Sequence, residues 1–255
     1  MHTDCPVELH GLSMPDLIQH LIGIHSAPTT LIVCSSRSAF EHQLLGSFSG
    51  PPPHVDQVDA NAVDVGQVSK HPLVIPTLHL LSCTSTIRLA FCPSLEALRA
   101  HLTALSADHA TEPSSTKRGD TRRPILCILN FLAIHRETTS FSAQGLSRTL
   151  AIAVDAAARC GQKLVLSECP VPQETGRTED GSHEAAMEAT GPNVGQDSSD
   201  TRDPWEEQLS ILSVTTKSFG VGSRGWAGRT VSARAVAERW CRFERYQDVQ
   251  ARQVF

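Results

Sequence analysis

The chain has 255 residues and a formal net charge of −5, with eight cysteines and twelve histidines. That length holds one sizeable domain, or one domain plus polar segments, and the mild acidity singles out no partner by bulk charge. No Cys-x-x-Cys occurs, which excludes the zinc-ribbon and thioredoxin patterns, and no apolar run reaches the ~20 residues of a membrane span. The N-terminus, Met1-His-Thr-Asp-Cys5-Pro, lacks a basic region and an apolar stretch and does not read as a secretory signal.

Residues 14–24 carry Leu17, Leu21 and Ile24 on one helical face, with Ser13 as N-cap and Pro15 in the first turn. Residues 29–34 read as a short strand and residues 38–48 as a second helix. Residues 49–70 contain Gly50-Pro-Pro-Pro53 and form a loop or linker. Leu73–Leu81 is interrupted by Pro76 and reads as irregular chain or a sheet edge. Residues 86–91 alternate as a strand does. Residues 94–105 place Leu95, Leu98, Leu102 and Leu105 on one helical face, and 106–123 are polar.

The most informative block runs from Pro124 to Ser167. Its near-continuous apolar run over 124–134 is that of a strand buried on both faces of a parallel sheet. Residues 142–160 have helical spacing, Gly161 sits where a helix stops, and residues 163–167 read as the next buried strand. Residues 170–204 carry eight acidic side chains against two arginines, too few apolar groups to offset the entropy of ordering, and read as a disordered acidic insertion. Order resumes at Trp205, with a strand over 209–214. Residues 229–234 and 238–244 are paired here as a terminal hairpin. The expected architecture is α/β: a doubly wound, mostly parallel sheet with an antiparallel C-terminal hairpin. The core spans 10–170 with its loop at 49–72, the insertion 171–204, the completing strands 205–245 and a tail 246–255.

Gly220-Val-Gly-Ser-Arg-Gly225 matches G-x-G-x-x-G in letters, but it lies too near the C-terminus to open a dinucleotide-binding half and reads as a turn. A phosphate-binding loop needs backbone amides, a lysine and a Ser/Thr for magnesium. After the strand at 29–34 the chain offers Ser35, Ser36 and Arg37, with no glycine and no Lys-Ser/Thr pair. The strand over 125–129 ends in Asn130 where a magnesium-holding acid is needed. These four residues form a degenerate nucleotide site, and no cofactor or metal is expected. The histidines show no His-Glu-x-x-His, and His20 and His25 are badly spaced for one helical face. Asp155 reads as a solvent-facing helix residue. Glu168, at a strand end, is the better of two weak acid/base candidates.

From Lys217 to Phe255 there are eight Lys/Arg against three acidic residues. Arg224, Arg229, Arg234, Arg239, Arg242 and Arg245 are interleaved with Trp226, Trp240, Phe243 and Tyr246. Arginine with interleaved aromatics is suited to single-stranded nucleic acid, through phosphate contact and base stacking. Set against this is a half-buried hairpin with aromatics inside and arginines in water. Trp226, flanked by glycines, is the best placed for a loop tip.

The strand at Leu31–Cys34 is followed by Ile87–Leu98, where a strand runs through Pro-Ser into a leucine-rich helix. Next come the strand at 124–129, the helix at 146–158, the strand at 164–167 and Arg239-Trp-Cys-Arg-Phe243. This order resembles the degenerate RecA-like recombinase paralogues, in particular the small RecA-like partner of the SWIM-domain protein in Shu-type complexes. The resemblance implies a non-catalytic nuclear or cytoplasmic subunit that supports homologous recombination repair. It would pair with a SWIM-domain or other RecA-like protein and touch single-stranded DNA. The same loss of phosphate-handling residues is found in RecA-like subunits of the Elongator accessory ring, which act in tRNA modification. A third alternative is a small-molecule enzyme on an α/β scaffold.

Overall fold

The computed structural model describes residues 5–24, 28–49, 71–105, 123–169, 203–211 and 229–253. Its centre is a six-stranded sheet in which every pairing is parallel. The strands are β1 (Val7–His10), β2 (Thr29–Val33), β3 (Ile87–Phe91), β4 (Ile125–Leu129), β5 (Lys163–Ser167) and β8 (Arg242–Arg245), in the order β3-β2-β4-β5-β1-β8. A separate antiparallel pair joins β6 (Gln208–Ser210) to β7 (Thr230–Ser232).

Helices α1 (Met14–Ile24) and α2 (Arg37–Ser49) follow strands whose connections move toward the β3 edge. Helices α4 (Leu95–Ala104) and α6 (Ala143–Arg159) lie on connections that run the other way, as does α7 (Ala233–Ala237). Right-handed crossovers then put the two sets on opposite faces of the sheet. The burial pattern agrees. Ile125, Cys127 and Leu129 of β4 pack with Leu17, Leu21 and Phe40, whereas Leu126 and Ile128 pack with Leu98, Leu102, Leu146 and Leu150. All five β4 residues are buried, which is why the strand has no polar alternation.

Local signals fix the helix ends. Ser94 and Ser142 are N-caps, accepting from the amides of Ala97 and Gly145. The end of α6 is a Schellman turn: Gln162 N–H donates to Ala157 O and Gly161 N–H to Ala158 O, with Gly161 at φ +62°.

Three segments depart from the sequence reading. Strand β1 is absent from that reading because Glu8 interrupts its short apolar run. The segment around Pro76 is not irregular throughout. Pro72–Val74 forms a 3-10 turn, and α3 (Leu78–Thr84) follows with Thr77 accepting from Leu80 N. The C-terminal hairpin exists, but with other partners. Strand β7 pairs with β6, and Ser232 caps α7, which intervenes before the last strand. Strand β8 therefore arrives parallel to β1, with Val7 opposite Arg242 and His10 opposite Arg245. The physical reason is the open side of β1: β8 pairing there satisfies backbone groups of β1 that a local hairpin would leave without a strand partner.

Residues 246–253 of the tail form helix α8 (Tyr246–Gln253). Of the acidic insertion, residues 171–202 lie outside the described residues, as do 50–70, 106–122 and 212–228. Asp203 and Pro204 belong to an ordered 3-10 turn, Pro204–Glu206, that leads into β6.

Candidate functional site

In a parallel sheet the carboxyl ends of the strands gather on one edge, and a crevice opens where neighbouring connections diverge. Here that point lies between β2, whose chain leaves toward β3, and β4, whose chain leaves toward β5. The loop after β2 carries Ser35, Ser36 and Arg37, and the end of β4 carries Asn130. Topology thus brings Ser35, Ser36, Arg37 and Asn130 to one edge of the sheet.

Their hydrogen bonds are internal. Ser35 Oγ donates to Ser36 O, and Ser36 Oγ accepts from Ala39 N at the start of α2. Arg37 Nε donates to Glu41 Oε1 at 2.7 Å along the exposed face of that helix. Asn130 adopts φ +60°, the left-handed region that asparagine tolerates better than most residues. Its Oδ1 accepts from Cys169 N at 3.0 Å, and its own N–H donates to Ser167 O at 2.9 Å. Ser167 Oγ in turn donates to Leu9 O. The ends of β4, β5 and β1 are therefore laced together. Phe131 and Leu132, both fully buried, close over the end of β4.

Glu168 accepts the backbone N–H of Leu132 and of Ala133, at the start of α5 (Ala133–Arg136). Burial pushes its carboxyl up to about 7 against those amides, which act to lower it. Within α5, fully buried His135 meets Thr149 Oγ1 through Nε2 at 3.0 Å and Phe131 O through Nδ1 at 2.8 Å. A carbonyl only accepts, so Nδ1 carries the proton, and Nε2 faces a Thr149 hydroxyl whose single proton is shared between Nε2 and Gly145 O. Arg99 Nε and Nη2 donate to the same hydroxyl. Burial depresses the imidazole to about 4, so it is neutral. Asp155 is exposed and paired with Arg159, as its spacing predicts.

The nucleic-acid candidates scatter. Arg224 and Trp226 lie outside the described residues. Arg229 is exposed immediately before β7, and Arg239 is exposed in the turn after α7. Arg242 lies on β8 and lines a cleft together with His10, Asp203, Arg234, Phe243 and Arg245. The aromatics between the arginines serve packing. Trp240 Nε1 donates to Ser147 Oγ, Phe243 stands edge-on to Trp205 at 5.4 Å, and Tyr246 meets His20 at 5.1 Å.

Sequence reasoning passes over Glu8, His10 and Trp205. Glu8 lies in the sheet interior with no exposure, and its Oε1 accepts the indole N–H of fully buried Trp205. Desolvation raises its carboxyl to about 8. The available signal is a lone acid in an otherwise apolar strand, which a buried partner must explain. Among the described residues no His/Cys/Asp/Glu group is arranged to hold a metal ion, and no helix is long and apolar enough to cross a membrane. No protein-family model, curated protein or solved structure matches the chain.

Proposed function

We propose that this chain is a non-catalytic, RecA-like subunit that supports homologous recombination repair. In this reading it works in the nucleus through a hetero-oligomer with a SWIM-domain or other RecA-like protein, with contact to single-stranded DNA. The observation that carries the reading is Asn130. It stands at the end of the central buried strand, where nucleotide chemistry needs an acid, and its side chain is committed to Cys169 N. Of the facing serines, Ser36 is engaged in capping α2 and Ser35 donates to the carbonyl of Ser36. A parallel α/β sheet whose strand-end polar groups serve its own backbone is a scaffold suited to assembly rather than turnover.

The arginines favour a nucleic-acid contact only through their exposure. Arg229, Arg239 and Arg242 all reach solvent, while their neighbouring aromatics are packed inward. Phosphate contact is thus the expected mode at these three positions, with a steep salt dependence.

The test is identification of proteins that co-purify with the endogenous chain, combined with single-stranded DNA binding across a salt series. Recombinase and SWIM-domain partners support the reading. Elongator subunits in their place transfer the chain to tRNA modification. ATP turnover that survives purification to homogeneity sinks the non-catalytic assignment.

A further inference from the structure

The two edges of the six-stranded sheet are finished differently. Edge strand β8 reads Arg-Phe-Glu-Arg, and charged side chains on an edge discourage further pairing. Edge strand β3 reads Ile-Arg-Leu-Ala-Phe, with one charge, no proline and no bulge against β2. Its other side faces no strand among the described residues. Leu89, at its midpoint, is 51% exposed. Among the described residues seven large apolar side chains are exposed. Five of them, Val74, Ile75, Leu78, Leu81 and Leu89, lie on β3 or on the connection that enters it, which marks this flank as a contact surface. Helix α3 in that connection has no acidic residue, lysine or arginine.

The ladder with β2 fixes which backbone groups the open edge offers. Thr29 N–H donates to Thr86 O and Cys92 N–H to Val33 O, so the backbone groups of residues 86, 88, 90 and 92 face β2. The N–H and C=O groups of Ile87, Leu89 and Phe91 therefore point outward, a set symmetric about Leu89. A second β3 laid antiparallel, with a two-fold axis at Leu89, pairs Leu89 with the partner's Leu89 and Ile87 with the partner's Phe91. Every outward amide and carbonyl of these residues then has a partner. Arg88 falls opposite the partner's Ala90, so no like charges meet across the seam. Ile87, Leu89 and Phe91 also share one face of the strand, where Ile87 and Phe91 pack beside Leu31 and Phe40. The pairing extends that apolar row and covers Leu89 with its own copy.

We propose that β3 is a dimer seam: two copies of this chain join edge to edge, and one sheet runs through both. The occupant is a second copy because the outward backbone groups, the apolar row and the placement of the single charge are all self-complementary about one residue, as an isologous interface requires. Thr86 N–H donates to Cys83 O, so the end of α3 abuts the start of β3. In the two-fold arrangement an uncharged helix end therefore stands at each end of the seam, and neither copy presents a like charge to the other. The pairing concerns copies of this chain and does not rest on the recombination reading.

The test is sedimentation equilibrium of the purified full chain over a concentration series. A dimer is expected, and Leu89→Lys, which opposes two like charges at the axis, should raise its dissociation constant at least about tenfold. Leu89 is half-exposed, so the urea midpoint of this variant should stay near that of the wild type. Ile211→Lys puts the same charge on an exposed apolar residue just beyond β6 and should leave the dimer unchanged. A second pair of substitutions reads the register. With Cys5→Ser removing the exposed thiol, Leu89→Cys should give a covalent dimer with oxidised glutathione. The Cα atoms of a hydrogen-bonded antiparallel pair lie about 5.5 Å apart, inside the range a disulfide spans. A chain that stays monomeric up to about 100 μM, equal weakening by Leu89→Lys and Ile211→Lys, or failure of Leu89→Cys to cross-link overturns the proposal. An edge covered by a different protein, or by another part of this chain, shows as the first of these outcomes. Only the purified chain is needed, so the result is separable from the search for SWIM-domain or recombinase partners.

Discussion

The indole N–H of Trp205 donates to Glu8 Oε1 at 2.9 Å, joining residues 197 positions apart. The bond clamps the chain that re-enters after the acidic segment onto the interior of the sheet. Phe243 stacks edge-on against the same indole, and Arg234 lies 4.7 Å above that phenyl ring. A fully buried acid thereby becomes the attachment point for β6, β7 and α7. Trp205→Phe keeps most of the apolar volume but strips Glu8 of its donor. The expected loss is about 1–3 kcal/mol, the penalty for a buried polar group left unpaired. Urea unfolding measures it. Combining Trp205→Phe with Glu8→Leu should recover part of the loss, because removing both partners is far less costly than removing one.

Stability should fall as pH rises from neutrality to about 8.5. Glu8 and Glu168 have folded pKa values of about 8 and about 7, each raised by desolvation from 4.5. A carboxyl with a raised folded pKa contributes stability that is complete below its unfolded value. That contribution is lost as pH climbs through the folded value. His135, lowered by burial to about 4, sheds the rest of its unfolded-state charge just above pH 6.5 and so offsets only the first part of the trend. Each carboxyl contributes at most ~1.4 kcal/mol per pH unit. Urea midpoints at pH 6.5 and 8.5 should show the decline, and Glu8→Gln should flatten it. An unchanged slope in Glu8→Gln would remove Glu8 as its cause.

At Asn130 the backbone and the side chain make separable demands. Position φ +60° disfavours residues with a Cβ by roughly 1–2 kcal/mol, least so for asparagine. The Oδ1 atom also holds Cys169 N. Asn130→Gly keeps the conformation and loses the acceptor, whereas Asn130→Ala loses both. Thermal unfolding should therefore rank wild type above Asn130→Gly, and that above Asn130→Ala. Asn130→Asp should not confer ATP hydrolysis, because the facing Ser35–Arg37 loop supplies no phosphate-holding lysine.

The glycines differ in what an added methyl group meets. At Gly145 a Cβ falls 2.1 Å from Ser140 O, a backbone atom that cannot rotate away. Gly145→Ala should cost at least about 1–3 kcal/mol through forced displacement of the turn before α6. Gly46, inside α2, has nothing within 4 Å of a Cβ, and Gly46→Ala should stabilise by about 0.5–1 kcal/mol. Denaturant midpoints of the two variants moving in opposite directions is the expected result.

Much of the fold was legible because its signals are local. Leu95, Leu98 and Leu102 share a helical face and are all buried, and Ser94 and Ser142 cap the helices they precede. The apolar run of β4 reads directly as a strand covered on both faces. The Ser35–Arg37 loop and Asn130 could be picked out as strand-end groups for the same reason. Strand β1 was not legible, since Glu8 breaks its apolar pattern and only Trp205 makes that acid tolerable inside the sheet. The final strand was misassigned to a neighbouring hairpin because its alternation shows that it pairs, not with what.

By itself the sequence determined an α/β sheet, the position of its central strand-helix-strand block and the residue types, Ser-Ser-Arg, that follow the strand at 29–34. Each follows from residue type and short-range spacing. Only the tertiary structure decided the strand order, the parallel seat of β8 beside β1 and the burial of Glu8 against the Trp205 indole. Those depend on which distant backbone edges and buried polar groups find partners. That matching is settled by the free energy of the whole sheet, and no window of local sequence contains it.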